Sequence, residues 1–281
     1  MHPQSPERRR LFADQARSAR PDLALLCLLI GAEADPDLDD AGLRAAPRIL
    51  DRLAGQLAEL LTDDRTGGPR SWALALAELL GARYGFKGRP GEYQHLRSAL
   101  LHEVLRRRRG LPILLSVVWI EVARRAGVPV HGVALPGHFV VGFGAREEQV
   151  LADPFAGGRV LSAMDAELLV AGATGAPLVP SMLSPAGPLD IVLRVLNNIR
   201  AWAAARPERS DVALWAVELS LLLPAHSDRL HYDRAQLLVR RGDFLAGALE
   251  IETYADALAA TDEAAAVRLR QEAHGARAML N

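Results

Sequence analysis

The stretch LPILLSVVWIEVARRAGVPV, residues 111–130, constrains the fold of this 281-residue chain more than any other. Pro112 suits the first turn of a helix, where a missing N–H forfeits no bond, and Gly127 followed by Pro129 is a strong stop. The spacing predicts one helix over about 112–126 whose apolar residues cover every side instead of a single stripe. A helix without a solvent face has to be buried. Three short β-prone runs follow it: VPVHGVAL (128–135), HFVVGFG (138–144) and EQVLADPF (148–155), parted by Pro-Gly and by Ala-Arg-Glu-Glu. That order predicts an antiparallel meander laid against a buried helix.

Upstream, residues 21 to about 105 read as a lobe of short helices. PRILDRLAGQLAELL places Leu50, Leu53, Leu57 and Leu60 on one face. Breaks fall at 35–42 and 63–70, and 84–93 is a Gly/Pro loop carrying aromatic residues. Downstream, the Gly-, Pro- and Ala-rich text at 166–188 reads as a linker. Helices are expected beyond it at 189–206, 210–223, 228–241, 244–258 and 262–279, with small residues Ala246, Gly247 and Ala248 allowing close contact after an Arg-Gly-Asp turn. The expected organisation is a flexible N-terminus (1–20), an α+β domain with its helical lobe (21–165), the linker, and an all-α region (189–281). Helices such as VALWAVELSLLL carry more apolar surface than one or two hairpins bury, so the tail is expected to dock on the first domain and leave an interdomain groove for a partner.

Thirty-three basic against 34 acidic residues leave a net charge of −1, so no basic field draws nucleic acid or an anionic membrane. Proteins or small molecules are the expected partners. The run LALLCLLI (23–30) is too short to span a bilayer, and no apolar segment of the secretory kind follows the early basic residues. A cytoplasmic location is the expectation. The single cysteine, Cys27, excludes an internal disulfide and a multi-thiolate zinc site. In its apolar helix it reads as a small buried hydrophobe.

Two polar residues stand out in the meander. His138 lies in Pro-Gly-His-Phe and Asp153, fifteen residues on, in Asp-Pro-Phe. On neighbouring strands they form either the base and orienter of a triad or a structural bond tying the strands together. A ring nitrogen is expected within hydrogen-bonding reach of the carboxylate. Ser116, one turn after Pro112, is the nearest hydroxyl; it serves as a nucleophile or bonds back to the Pro112 carbonyl. No Gly-x-Ser-x-Gly elbow accompanies it. Metal binding by His131, His138 and Asp153 is disfavoured by the turn between the two histidines, and no metal or cofactor is expected. Arg106 to Arg109 read as a solvated helix end complementing the dipole, and Trp119 as core.

VLRRRRGLPILLSVVWIEVARRAGVPVHGVALPGHFVVGF together with LADPFAGGRVLS resembles the transglutaminase-like domain of SirB-type bacterial proteins, which joins a C-terminal tetratricopeptide-like region. YGFKGRPGEYQHLRSALLHEVLRRRRG and the C-terminal hairpin are similar too, so the likeness covers most of residues 20–258. It implies a papain-like core in which a cysteine opens the buried helix, its thiolate favoured by the dipole and a nearby histidine. His138 and Asp153 take the places of the histidine and aspartate, and the nucleophile's place falls near Pro112. Proline has no nucleophile. The resemblance therefore implies a non-catalytic binding or regulatory protein that engages a protein or peptide partner. The alternative is a hydrolase or acyltransferase using His138 and Asp153 with Ser116 or a bound water.

Overall fold

The computed structural model describes residues 5–61, 67–145 and 148–280. The chain divides into two compact units: one built of residues 19–195 with the start of the chain up to Arg8, the other of residues 9–18 with 196 onward. No helix among the described residues is long and apolar enough to cross a membrane.

The stretch expected to be flexible opens instead with a helix, α1 (Ser5–Ala16), in which Phe12, Ala13 and Ala16 are buried. Three apolar side chains on one face outweigh the charged look of the surrounding text; residues 1–4 lie outside the described residues. α2 (Leu23–Ala34) begins where the Asp22 carboxylate accepts the Leu25 N–H at 3.0 Å. α3 (Asp40–Leu60) is capped in the same way by Asp39 and buries Leu50, Leu53 and Leu57. The expected break at 63–70 falls partly outside the described residues. After it, α4 (Gly68–Leu76) runs on into a π-helical turn, Ala77–Arg83, and two 3-10 turns lead into α5 (Leu101–Arg107). The arginine run does more than decorate a helix end: Arg108 and Arg109 donate to the carbonyls of Tyr84 and Gly85 and brace the loop at 84–93.

α6 (Pro112–Arg125) is the apolar helix, and every residue from Pro112 to Ala123 is buried. Its one buried acid, Glu121, is held by Arg124 and Arg125. α6 packs on α3 and on the first strands of a five-stranded antiparallel sheet. These are β1 (Val130–Val133), β2 (Val140–Phe143), β3 (Val150–Asp153), β4 (Arg159–Leu161) and β5 (Pro185–Ala186), ordered β4-β3-β2-β1-β5. Val133 faces Val140, and Val141 faces Ala152. The fold is α+β, as the alternation of buried helix and short strands predicts.

The segment expected as a linker, 166–188, begins inside a helix, α7 (Ala163–Thr174), between β4 and β5. Ala166 and Val170 pack in one cluster with Val133, Val140, Leu151 and Leu161 of the sheet. The Gly- and Ala-rich end that suggested a loop, Ala171 to Ala176, stays exposed while Ala166 and Val170 do the packing. Ser162 and Asp165 form a reciprocal capping box, and Gly175 closes the helix at φ 69°. The N–H and hydroxyl of Ser162, then the guanidinium of Arg159, hold the Asp165 carboxyl down to about 2. A carboxyl whose folded value lies below its unfolded one stabilises the fold above the unfolded value and loses that contribution as pH falls toward the folded one. Thermal melts of wild type and Asp165→Asn between roughly pH 5 and 2 are therefore expected to converge as pH falls. Parallel curves would refute this.

α8 (Pro188–Ala204) contains the boundary between the units. In the second unit it is followed by α9 (Ser210–Leu221), α10 (Arg229–Arg240), α11 (Phe244–Leu258) and α12 (Glu263–Ala278). α10, α11 and α12 pack consecutively around Ala235, Ala248, Ile251 and Ala273. Gly247 permits the α10–α11 approach: a Cβ there would lie 2.9 Å from the Ala235 carbonyl oxygen. Arg9 of α1 donates to Glu218 of α9 at 2.7 Å.

Candidate functional site

The turn Leu135–Phe139 carries the histidine between β1 and β2, and Gly137 supplies the positive φ it needs. His138 thus precedes β2 and does not lie on a strand, whereas Asp153 is the last residue of β3. The turn is clamped by Arg194 of α8, which donates to the Leu135 carbonyl at 2.7 Å and the His138 carbonyl at 3.0 Å. Its guanidinium also lies 5.6 Å over the Phe139 ring. Burial lowers the Arg194 pKa, with Tyr93 opposing. Nothing in the sequence singled out Arg194; an arginine on an amphipathic helix carries no signal of a partner more than fifty residues away.

His138 and Asp153 do meet. Nε2 of His138 lies 3.0 Å from Oδ1 of Asp153, and both side chains are largely buried. The distance is that of a hydrogen bond but the direction is not, and Nε2 has no aligned partner among the described residues. Oδ1 accepts instead from the Phe155 N–H at 2.9 Å, capping the short turn Pro154–Ala156. The His138 ring meets Phe155 edge to face, 6.0 Å between centroids. Phe155 in turn is pressed on the 84–93 loop: Gly88 donates to its carbonyl at 2.9 Å, and a Cβ on Gly88 would sit 1.8 Å from the ring. Half-exposed Tyr93 lies in the same loop, in the turn Pro90–Gln94. Burial raises its phenol pKa, Arg194 pulls it down and Asp153 raises it, so the hydroxyl lies in the field of both charges. Tyr93 was legible only as one of the aromatics of the loop.

The candidate nucleophiles are placed elsewhere in function. Pro112 is buried at the first position of α6, after a Leu111 that offers no side-chain cap. Ser116 is fully buried, and its hydroxyl donates to the Phe139 carbonyl at 3.4 Å rather than back to Pro112 as expected. The acceptor arriving with the strand displaced the local one. His131 turns away to Gln149, 2.9 Å from its Oε1, and among the described residues no cluster of three or more histidine, cysteine, aspartate or glutamate side chains is arranged to hold a metal. Cys27 is buried in α2, where burial pushes its thiol pKa far up, helped by Glu121 and Asp22. That is the reverse of an activated thiol. Alkylation of native Cys27 is expected to be slower than in denaturant by about 100-fold or more; rapid labelling of the native protein would contradict its placement.

Every one of these residues except Cys27 and its neighbour Asp22 falls within residues 45–197, which match the model of the transglutaminase-like superfamily. The chain is 31% identical over 223 residues to a UPF0162 protein of Xylella fastidiosa strain 9a5c, covering 76% of each chain. It is 33% identical over 189 residues to a UPF0162 protein of Pseudomonas aeruginosa, 67% of each. The F-box only protein 21 of Mus musculus is 26% identical over 153 residues, 52% of this chain and 24% of that one. A histidine turn and an aspartate strand end meeting beside a buried helix, inside a matching segment that covers more than half its length, show that the chain belongs to the transglutaminase-like superfamily.

Proposed function

We propose that the chain is a cytoplasmic, SirB-type transglutaminase-like protein that binds or regulates a protein partner and performs no cysteine catalysis. Its proposed arrangement is a transglutaminase-like domain followed, from about residue 189, by a tetratricopeptide-like helical region. The observation that carries this reading is Pro112 at the first turn of α6, where a nucleophile would stand. A histidine and aspartate without a group to activate make no covalent catalyst. Two further observations support it: the Ser116 hydroxyl is engaged by the Phe139 carbonyl, and His138 Nε2 is not aligned on Asp153. The consecutive hairpins α10 to α12 are the kind of surface that helical repeats offer to proteins.

One observation favours the competing reading of a hydrolase or acyltransferase: the 3.0 Å approach of His138 to Asp153, which would let the pair activate a water or Ser116. The test is intact-mass analysis of the full chain after exposure to p-nitrophenyl acetate and to a fluorophosphonate, with ester hydrolysis measured in parallel. The expected result is no adduct, and hydrolysis within about two-fold of the His138→Ala variant. An adduct on Ser116 that His138→Ala abolishes, or a His138-dependent rate of about 100-fold, would establish the enzyme reading instead.

A further inference from the structure

Within the second unit, α8, α9 and α10 enclose a groove of about 980 Å³, large enough for several side chains of a bound segment. Four guanidinium groups reach its wall, from Arg200, Arg206, Arg229 and Arg240, against the single carboxylate of Asp233. That carboxylate is shared: Arg200 binds it at 2.6 Å and Arg229 approaches it at 3.7 Å. Arg240 is exposed and forms no ion pair with any described residue. Arg206 lies 4.5 Å over the Trp202 ring and donates to the Trp202 carbonyl. Three other arginines of this unit are matched by acids, Arg234 by Glu218 and Glu250, Arg270 by Asp256, Arg277 by Glu252. The chain as a whole carries −1. Within the groove wall itself, basic groups outnumber acidic ones by four to one.

We infer that this groove binds an acidic peptide segment, its carboxylates meeting Arg229 and Arg240 at the rim and an apolar side chain resting against Ala201, Ala204 and Pro207. The inference rests on the reading of the chain as a binding protein and gives the partner its chemistry. Charge complementarity selects an anion. The apolar residues and the carboxylate of Asp233 in the wall favour a peptide over a phosphate backbone, which calls for an uninterrupted basic track. Tyr232, the aromatic side chain in the lining, is already stacked on Tyr254 and bonded to Glu272, and so is not offered to a base.

The experiment uses the full chain and a fluorescein-labelled Glu-Glu-Leu-Glu-Glu-Leu peptide, followed by anisotropy at low and at physiological salt. Binding is expected, weakening as salt rises, with no binding of the Lys-Lys-Leu-Lys-Lys-Leu counterpart. Arg229→Glu/Arg240→Glu is expected to weaken it by about ten-fold or more, while Arg229→Lys/Arg240→Lys, which keeps the charge, retains most of it. Melts of both variants should match wild type, since both side chains lie at the surface. Absence of binding, equal binding by the charge-reversed variant, or displacement of the peptide by a short oligothymidylate at equal or lower concentration would overturn the inference. The mass analysis above is run on the same preparation. No peptide binding with no adduct overturns the groove alone, whereas a His138-dependent adduct overturns the binding-protein reading whatever the peptide does.

Discussion

Trp119→Ala is expected to destabilise the protein by about 3–5 kcal/mol, read as a shift of the urea midpoint at unchanged slope. Trp119 is completely buried at the middle of α6 and meets Phe86 edge to face, 6.2 Å between centroids. Alanine leaves a cavity at the centre of the first unit, where α6 is surrounded and cannot settle into the gap. One term runs the other way. The indole N–H is buried without an acceptor among the described residues, and an unsatisfied donor costs about 1–3 kcal/mol that truncation removes. The cavity term is the larger, so the net sign is destabilising. Trp119→Phe separates the two: it keeps most of the ring volume and deletes the orphaned donor, and its expected cost is about 1 kcal/mol or less. A Trp119→Ala protein less than about 1 kcal/mol below wild type would mean that α6 is not the structural centre described.

Gly81→Ala is the second large effect, expected at about 3 kcal/mol or more. The glycine lies in the π-helical turn Ala77–Arg83, and a Cβ there would stand 1.9 Å from the carbonyl oxygen of Gly157. Main chain cannot rotate aside as a side chain can. The pressure falls on the tight turn after Asp153, where Gly158 donates to the Asp153 carbonyl at 2.8 Å. Gly81→Ala should therefore also move the His138 ring resonances in an NMR spectrum, which a purely remote destabilisation would leave alone. Gly55→Ala is the control. It lies within α3 with nothing within 4 Å of the added Cβ, so it is expected to be neutral or to stabilise by up to about 1 kcal/mol.

Much of the fold was legible because its elements announce themselves locally. Pro112 opens and Gly127 closes the apolar helix, and the five C-terminal helices fall within two residues of their expected bounds because turns such as Arg-Gly-Asp carry their own caps. What was missed depends on tertiary burial. α1 reads as charged text until Phe12 is seen to be buried, α7 reads as a loop until Ala166 and Val170 are seen to pack on the sheet, and β5 has two residues, one a proline. At the site, the approach of His138 to Asp153 follows from their spacing around a meander. The direction of their contact does not, because it is set by Phe155, Gly88 and Arg194. Ser116 makes the same point: its local acceptor was visible in the sequence, and a carbonyl 23 residues away took its place.

The late position of β5 and Arg194 matters for a chain made from one end. Residues Gly132 and Val133 pair with Ala186 and Pro185, and the carbonyls of Leu135 and His138 receive a donor 59 and 56 residues further along. During synthesis, α6 and β1 to β4 leave the ribosome with an uncovered strand edge and an unclamped histidine turn. Both are completed only once residue 194 has emerged. Translation that stalls between Leu161 and Pro185 would release a polypeptide that has its buried helix and four of its strands but an edge open to pairing with any neighbour, so in the cell the ribosome's progress over this interval divides a folded product from an aggregating one.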